Sequence, residues 1–232
     1  MHHIEIGRAP VFIEGVNIPF ARFLSNIRIT PDTLEPHSGI HHHQLVMSNP
    51  WSYAITGRVF IVEPGGYTQG SGNIDRSWEI APRVIPFSLE AGGVFRAPLE
   101  WSFSAGELVG PKPLVFDVEL SADEQYPIVR VTREINLDFD GLDISSTARW
   151  LGNGVAEITV SVINRTNTTM NLEAVAVPVR ESRTRASING LEPGGSMSRK
   201  FIFRNTRHAD EIVIGISIVD QDIRINSVVK VP

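Results

Sequence analysis

Val155-Ala156-Glu157-Ile158-Thr159-Val160-Ser161-Val162-Ile163 decides how the rest of this chain is read. Val155, Ile158, Val160 and Val162 sit among small or polar neighbours, and β-branched residues dominate. That is the period-two pattern of a strand with one buried face. Working outward, the same grammar recurs in Ile55-Thr56-Gly57-Arg58-Val59-Phe60-Ile61-Val62, in Leu114 to Leu120, and in Glu211 to Val219. Between such runs lie Pro64-Gly65-Gly66, Ala91-Gly92-Gly93, Gly110-Pro111-Lys112-Pro113, Gly152-Asn153-Gly154 and Pro193-Gly194-Gly195. These are turn residues, chosen for positive φ or a fixed φ. No stretch of about 12 residues keeps apolar positions at i, i+3, i+4 and i+7. Many short strands between regular turns predict an all-β chain of antiparallel β-sandwiches of the immunoglobulin or fibronectin-III kind.

The chain also repeats itself. Leu89-Glu90-Ala91-Gly92-Gly93 is echoed by Leu191-Glu192-Pro193-Gly194-Gly195. Upstream of each, a glycine (Gly39, Gly154) opens a strand that closes on an asparagine turn (Asn49, Asn164), and a second strand then runs to a proline (Pro64, Pro178). The offset between copies is larger at the asparagines than at the glycine pairs, so the first copy carries an insertion, placed at Gly65 to Ser77. With 232 residues there is room for two domains of about 100 residues each. The boundaries predicted are 1–24 for an N-terminal strand or linker, 25–138 for the first sandwich and 139–232 for the second. The seam falls at Asp138-Phe139-Asp140-Gly141.

Composition removes several function classes. A net charge of −5, with 21 scattered Lys and Arg against 26 Asp and Glu, does not build a nucleic-acid surface. No apolar run reaches the roughly 18 residues of a membrane span. The absence of cysteine removes disulfides, thiolate metal sites and a cysteine nucleophile, and it suits a cytoplasmic chain as well as a secreted one. No nucleophile elbow, P-loop, dinucleotide fingerprint or H-E-x-x-H motif occurs. No cofactor is called for.

Three residue groups remain as candidate chemistry. His41-His42-His43 places His41 and His43 on one strand face with roughly 6 to 7 Å between their Cα atoms, a spacing at which imidazoles chelate Zn²⁺ or Ni²⁺, with His37 as third ligand. The competing reading is of exposed, solvated histidines. Trp51, Tyr53 and Tyr67 are the aromatics expected at the surface, where they would stack on a sugar ring as a carbohydrate-binding platform; core packing is the alternative. Carboxylates at Asp117 and Glu119 alternate on one strand face, and Asp138, Asp140 and Asp143 cluster at the seam. Glycosidase chemistry or Ca²⁺ binding competes there with the ordinary preference of Asp for turns.

The first half resembles the immunoglobulin-like accessory domains found beside glycoside hydrolases, in particular the galactosidase-associated sandwich family. The matching residues are Gly39, Asn49, Gly57, Pro64, Trp78, Ile80, Pro82, Phe87, Leu89, Gly92 and Gly93, with Trp78-Glu79-Ile80-Ala81-Pro82 similar to the family's W-x-v-x-P strand. The second half keeps Asn164 and Leu191 to Gly195 but lacks the tryptophan. Ala9-Pro10-Val11-Phe12-Ile13-Glu14-Gly15 looks like the closing strand of bacterial glycosidase-type proteins just before such domains. The resemblance implies a non-catalytic C-terminal part of a larger carbohydrate-active or surface protein, outside the cell or in the periplasm, and it transfers no catalytic residue. Its partners would be other domains of the same polypeptide and, in the binding-module reading, a glycan. A glycoside-processing enzyme is the remaining alternative.

Overall fold

The computed structural model describes residues 3–6, 9–12, 17–68, 72–73 and 77–232. Two compact units emerge: unit 1 is Met1–Leu34, Gly39–Ser104 and Pro111–Asn136, and unit 2 is Glu35–Ser38, Ala105–Gly110 and Leu137–Pro232. Both are built from antiparallel sheets and have the immunoglobulin-like sandwich architecture.

In chain order the elements of unit 1 are β1 (His3–Ile6), β2 (Ala9–Phe12), α1 (Ile18–Asn26), β3 (Arg28–Thr30), β4 (Thr33–Leu34), β5 (His41–Ser48), β6 (Ile55–Glu63), β7 (Tyr67–Thr68), β8 (Gly72–Asn73), β9 (Trp78–Ala81), β10 (Val84–Leu89), β11 (Val94–Phe103), β12 (Gly110–Ser121) and β13 (Val129–Leu137). β1 and β2 form a hairpin, as do β7 and β8. One sheet runs β10-β6-β12-β13-β4 and the other β3-β5-β11-β9. Phe87 of β10 and Phe95 of β11 bring the two sheets together, with ring centroids 6.3 Å apart.

Unit 2 continues with β14 (Leu142–Gly152), β15 (Val155–Asn164), β16 (Met170–Val177), β17 (Thr184–Leu191), β18 (Ser196–Phe203), β19 (Glu211–Ile218) and β20 (Arg224–Lys230). Its sheets run β14-β15-β18 and β17-β16-β19-β20. On β15 the buried positions are Ala156, Ile158, Val160, Val162 and Asn164, a strict alternation that meets Leu172, Ile188, Phe201, Ile214 and Ile216 in one core. Burying such aliphatic side chains stabilises the unit by about 1.5–3 kcal/mol each before chain entropy is set against it.

The strand orders of the two units coincide. β14-β15-β18 matches β3-β5-β11, and β17-β16-β19-β20 matches β10-β6-β12-β13; unit 1 adds β9 and β4 at the outer edges. The connection from β6 to β10, residues 64–83, is longer than its counterpart at 178–183 and carries β7, β8 and β9. Residues 69–71 and 74–76 of the expected insertion lie outside the described residues, as do 7–8 and 13–16 of the N-terminal segment. Trp78 to Ala81 does form a strand, paired to β11.

Ile18–Asn26 is a helix, where a strand or linker was expected up to residue 24. Asn17 caps it, its side chain accepting from Phe20 N, and proline stands in the first turn, where its missing N–H costs nothing. Phe23 and Leu24 are buried, and the Phe23 ring rests 5.7 Å from those of Trp51 and Phe87. The helix therefore closes the core of unit 1, so residues 18–24 are part of the first sandwich.

Candidate functional site

The duplicated sequence elements meet at one arrangement, present once in each unit. In unit 1 the Asn49 side chain is buried at the end of β5. Its Nδ2 donates to Tyr53 O at 2.8 Å, Leu89 O at 3.1 Å and Glu90 O at 3.0 Å, while its Oδ1 accepts from Trp51 N at 2.8 Å. Its backbone N donates to Gly93 O at 2.9 Å. In unit 2 the Asn164 Nδ2 donates to Thr168 O at 2.7 Å and Leu191 O at 2.9 Å, its Oδ1 accepts from Thr166 N at 2.9 Å, and its backbone N donates to Gly195 O at 3.0 Å. Each Leu-Glu-x-Gly-Gly element is a tight turn closed by the second glycine's N–H on the glutamate carbonyl, at 2.9 Å in both copies. The first glycine holds φ of +66° at Gly92 and +70° at Gly194, which L side chains resist. An amide both donates, through its two N–H hydrogens, and accepts at a single site, so asparagine fits and aspartate does not.

The histidines are core residues. His41 and His43 do share a face, and that face points inward: they are 6% and 5% exposed. His41 stacks on Phe103 at 4.9 Å, and His43 lies 5.5 Å from Trp101 with Nδ1 2.8 Å from Pro31 O. Burial holds the His43 imidazole below its ordinary pKa, only partly offset by the Pro31 carbonyl. The expectation that these histidines are exposed is corrected: the face that they share is buried. His37 belongs to unit 2, where its backbone bridges to Ile223. No group of three or more His, Cys, Asp or Glu able to hold a metal ion occurs among the described residues.

Trp51 is 5% exposed, so its ring offers no platform. It lies against Phe23 and Tyr126, with Tyr126 stacked on Phe20 at 4.5 Å. Tyr53 is half-buried, and the Tyr67 side chain lies outside what is described. Sequence reading missed the polar rim of this cluster: the Tyr126 hydroxyl donates to Asp123 Oδ1 at 3.3 Å and accepts from Asn17 Nδ2 at 2.9 Å. Burial, then the charges of Asp123 and Glu124, push the Tyr126 phenol up to about 12, and Tyr53 moves the same way through burial and its bond to Asp123.

Three of the candidate carboxylates are held by arginines. Asp117 takes a two-pronged contact from Arg130 at 2.8 and 2.9 Å, Glu119 pairs with Arg58, and Asp143 pairs with Arg165. A cleft of about 410 Å³ in unit 1 is lined by Arg28, Thr30, Asp32, Leu114, Arg133 and Glu134 among others. The Arg133 guanidinium is already engaged, donating to Thr132 O and, at 2.8 Å, to Leu24 O at the end of α1. A cation there complements the helix dipole. With two acids facing two arginines, the cleft has no net charge to recommend it to an ion.

No protein-family model matches the chain, and no curated protein matches it. Several solved structures follow a similar course. A red sea bream transglutaminase is 14% identical, with 89% of this chain and 31% of that one covered and a TM-score of 0.39. The Pseudomonas aeruginosa CupB2 chaperone is 11% identical, covering 86% and 96%, at 0.32. The Escherichia coli chaperone DraB is 12% identical, covering 89% and 97%, at 0.28. The chain thus spans about a third of the transglutaminase. At such values the likeness carries no argument about this chain. No helix among the described residues is long and apolar enough to cross a membrane.

Proposed function

We propose that this chain is a non-catalytic supporting module, two immunoglobulin-like sandwiches that serve other domains of a larger carbohydrate-active or surface protein outside the cell or in the periplasm. The observation that carries the reading is the duplicated asparagine clasp. The chemistry the two units hold in common, Asn49 with Leu89 to Gly93 and Asn164 with Leu191 to Gly195, ties a strand end to a turn, which is the work of a structural element. The arginine partners of Asp117, Glu119 and Asp143 support it further, because a glycosidase acid needs a free carboxyl facing a second across a cleft. The test is to assay the purified chain against a panel of chromogenic glycosides and a glycan array. The reading expects no turnover and no saturable glycan binding. Turnover abolished by replacing one carboxylate would overturn it in favour of an enzyme, and glycan binding lost on Tyr53→Ala would overturn it in favour of a binding module.

A further inference from the structure

β14 is an edge strand of 11 residues, paired on one side to β15; no strand among the described residues pairs with its other side. A free edge of that length is a template for another strand, and proteins ordinarily blunt such edges. The other outer strands here are blunted. β3, β4 and β9 have four residues or fewer, β10 carries Pro86, and β18 carries Arg199 and Lys200. On β17, Arg199 Nε occupies the Ser187 carbonyl and Gly190 takes positive φ. β20 is bridged by Leu108 at Asn226 and by His37 at Ile223. β14 carries the charges Asp143 and Arg149, but from Leu142 to Trp150 it has no proline, no positive φ and no bridging group on its open side among the described residues, and its bulge comes only between Trp150 and Gly152.

The backbone phase of that edge follows from two bonds. Arg165 N donates to Gly141 O at 2.9 Å, so odd-numbered residues of β14 turn their N–H and C=O toward β15. Leu142 N donates instead to Phe139 O, away from β15. Ile144, Ser146 and Ala148 therefore aim their backbone groups at the open edge, while Asp143, Ser145, Thr147 and Arg149 show exposed side chains on the outer face.

We propose that this edge pairs with the same edge of a second copy, antiparallel about a two-fold axis through Ser146, joining two three-stranded sheets into one of six. Centring on Ser146 makes it a self-facing hydrogen-bonded pair, as its outward N–H and C=O require. The same register sets Asp143 of each copy opposite Arg149 of the other, in a non-hydrogen-bonded pair where side chains stand closest. Centring on Ile144 or Ala148 leaves both charges without an opposite. Since Arg165 already holds Asp143 and Glu157 already holds Arg149 at 3.2 Å, each junction becomes a row of four alternating charges. An edge of this length buries little area, which places the dimer in the weak, concentration-dependent class.

Sedimentation velocity on the full chain across its soluble concentration range tests this. The wild-type chain should show a monomer–dimer equilibrium. Asp143→Arg and Arg149→Asp should each raise the dimer dissociation constant by about tenfold or more, by setting like charges opposite each other twice. An equimolar mixture of those two variants should recover the dimer, because both junctions then pair opposite charges. Ser146→Pro should abolish pairing while leaving the far-ultraviolet circular dichroism unchanged, since its N–H is not used by β15; if that variant misfolds, the charge exchanges decide alone. A wild-type chain monomeric throughout, or single charge variants that associate like wild type, would overturn the proposal.

Discussion

Asn164 Nδ2 and Leu191 O are 2.9 Å apart in an interior where Asn164 is wholly buried, and Asn49 Nδ2 repeats the bond on Leu89 O at 3.1 Å. Removing the amide leaves the buried Leu191 carbonyl, the Thr168 carbonyl and the Thr166 N–H without this partner at once. Asn164→Ala is expected to lower the unfolding free energy by about 2–4 kcal/mol, measured by urea denaturation. Asn164→Asp should cost as much at neutral pH, because a carboxylate would face carbonyl oxygens without a hydrogen to offer.

Burial keeps His43 below its ordinary pKa. Above about pH 6.5 the imidazole is neutral in both folded and unfolded chains. As pH falls below that point the unfolded chain takes up a proton that the folded one resists, so stability falls until the folded pKa is passed. His43→Gln keeps a donor for Pro31 O and removes the titration. The difference in unfolding free energy should move in favour of the glutamine variant between pH 7 and pH 5; a difference constant with pH would contradict this account.

Gly57 sits where a Cβ would lie 2.1 Å from Glu119 O and 2.6 Å from Phe87 Cζ. Neither the β12 backbone nor a core ring has room to retreat. Gly57→Ala is expected to destabilise the chain by about 1–3 kcal/mol, read from the denaturation midpoint at unchanged slope.

Asp123 stands beside both Tyr53 and Tyr126 and helps hold their phenols protonated. Asp123→Asn should lower the apparent pKa of both, seen by ultraviolet absorbance titration where circular dichroism is still native. Tyr126→Phe should remove the phenol that titrates at about 12.

Phe23 is fully buried between Trp51 and Phe87. Phe23→Ala should cost about 3–5 kcal/mol and expose Trp51, which intrinsic fluorescence would report as a red shift.

Where strands alternate cleanly, their places could be read from sequence. Val155 to Ile163 is β15 almost to the residue, and Glu211 to Val219 is β19. The two Leu-Glu-x-Gly-Gly turns could be read too, because positive φ leaves few residue choices. The helix was missed because it spans only nine residues, although Phe20, Phe23, Leu24 and Ile27 keep helical spacing behind an Asn-x-Pro start. The histidines were misplaced because alternation gives a face without saying which way it points. His41 and His43 share parity with Leu45 and Met47, and that was the available signal for burial. Trp51 follows: it stands in a turn, and what covers it is the helix.

Two copies of one sandwich are each locked by the same kind of buried asparagine, Asn49 in one and Asn164 in the other. Hydrogen exchange of the side-chain amides, followed by NMR in D₂O, tests this most directly. Slowly exchanging Nδ2 protons are expected for Asn49 and for Asn164, each pair vanishing from the spectrum on its own substitution by aspartate. Exchange of either pair at the rate of a solvent-exposed asparagine in a folded chain would contradict it.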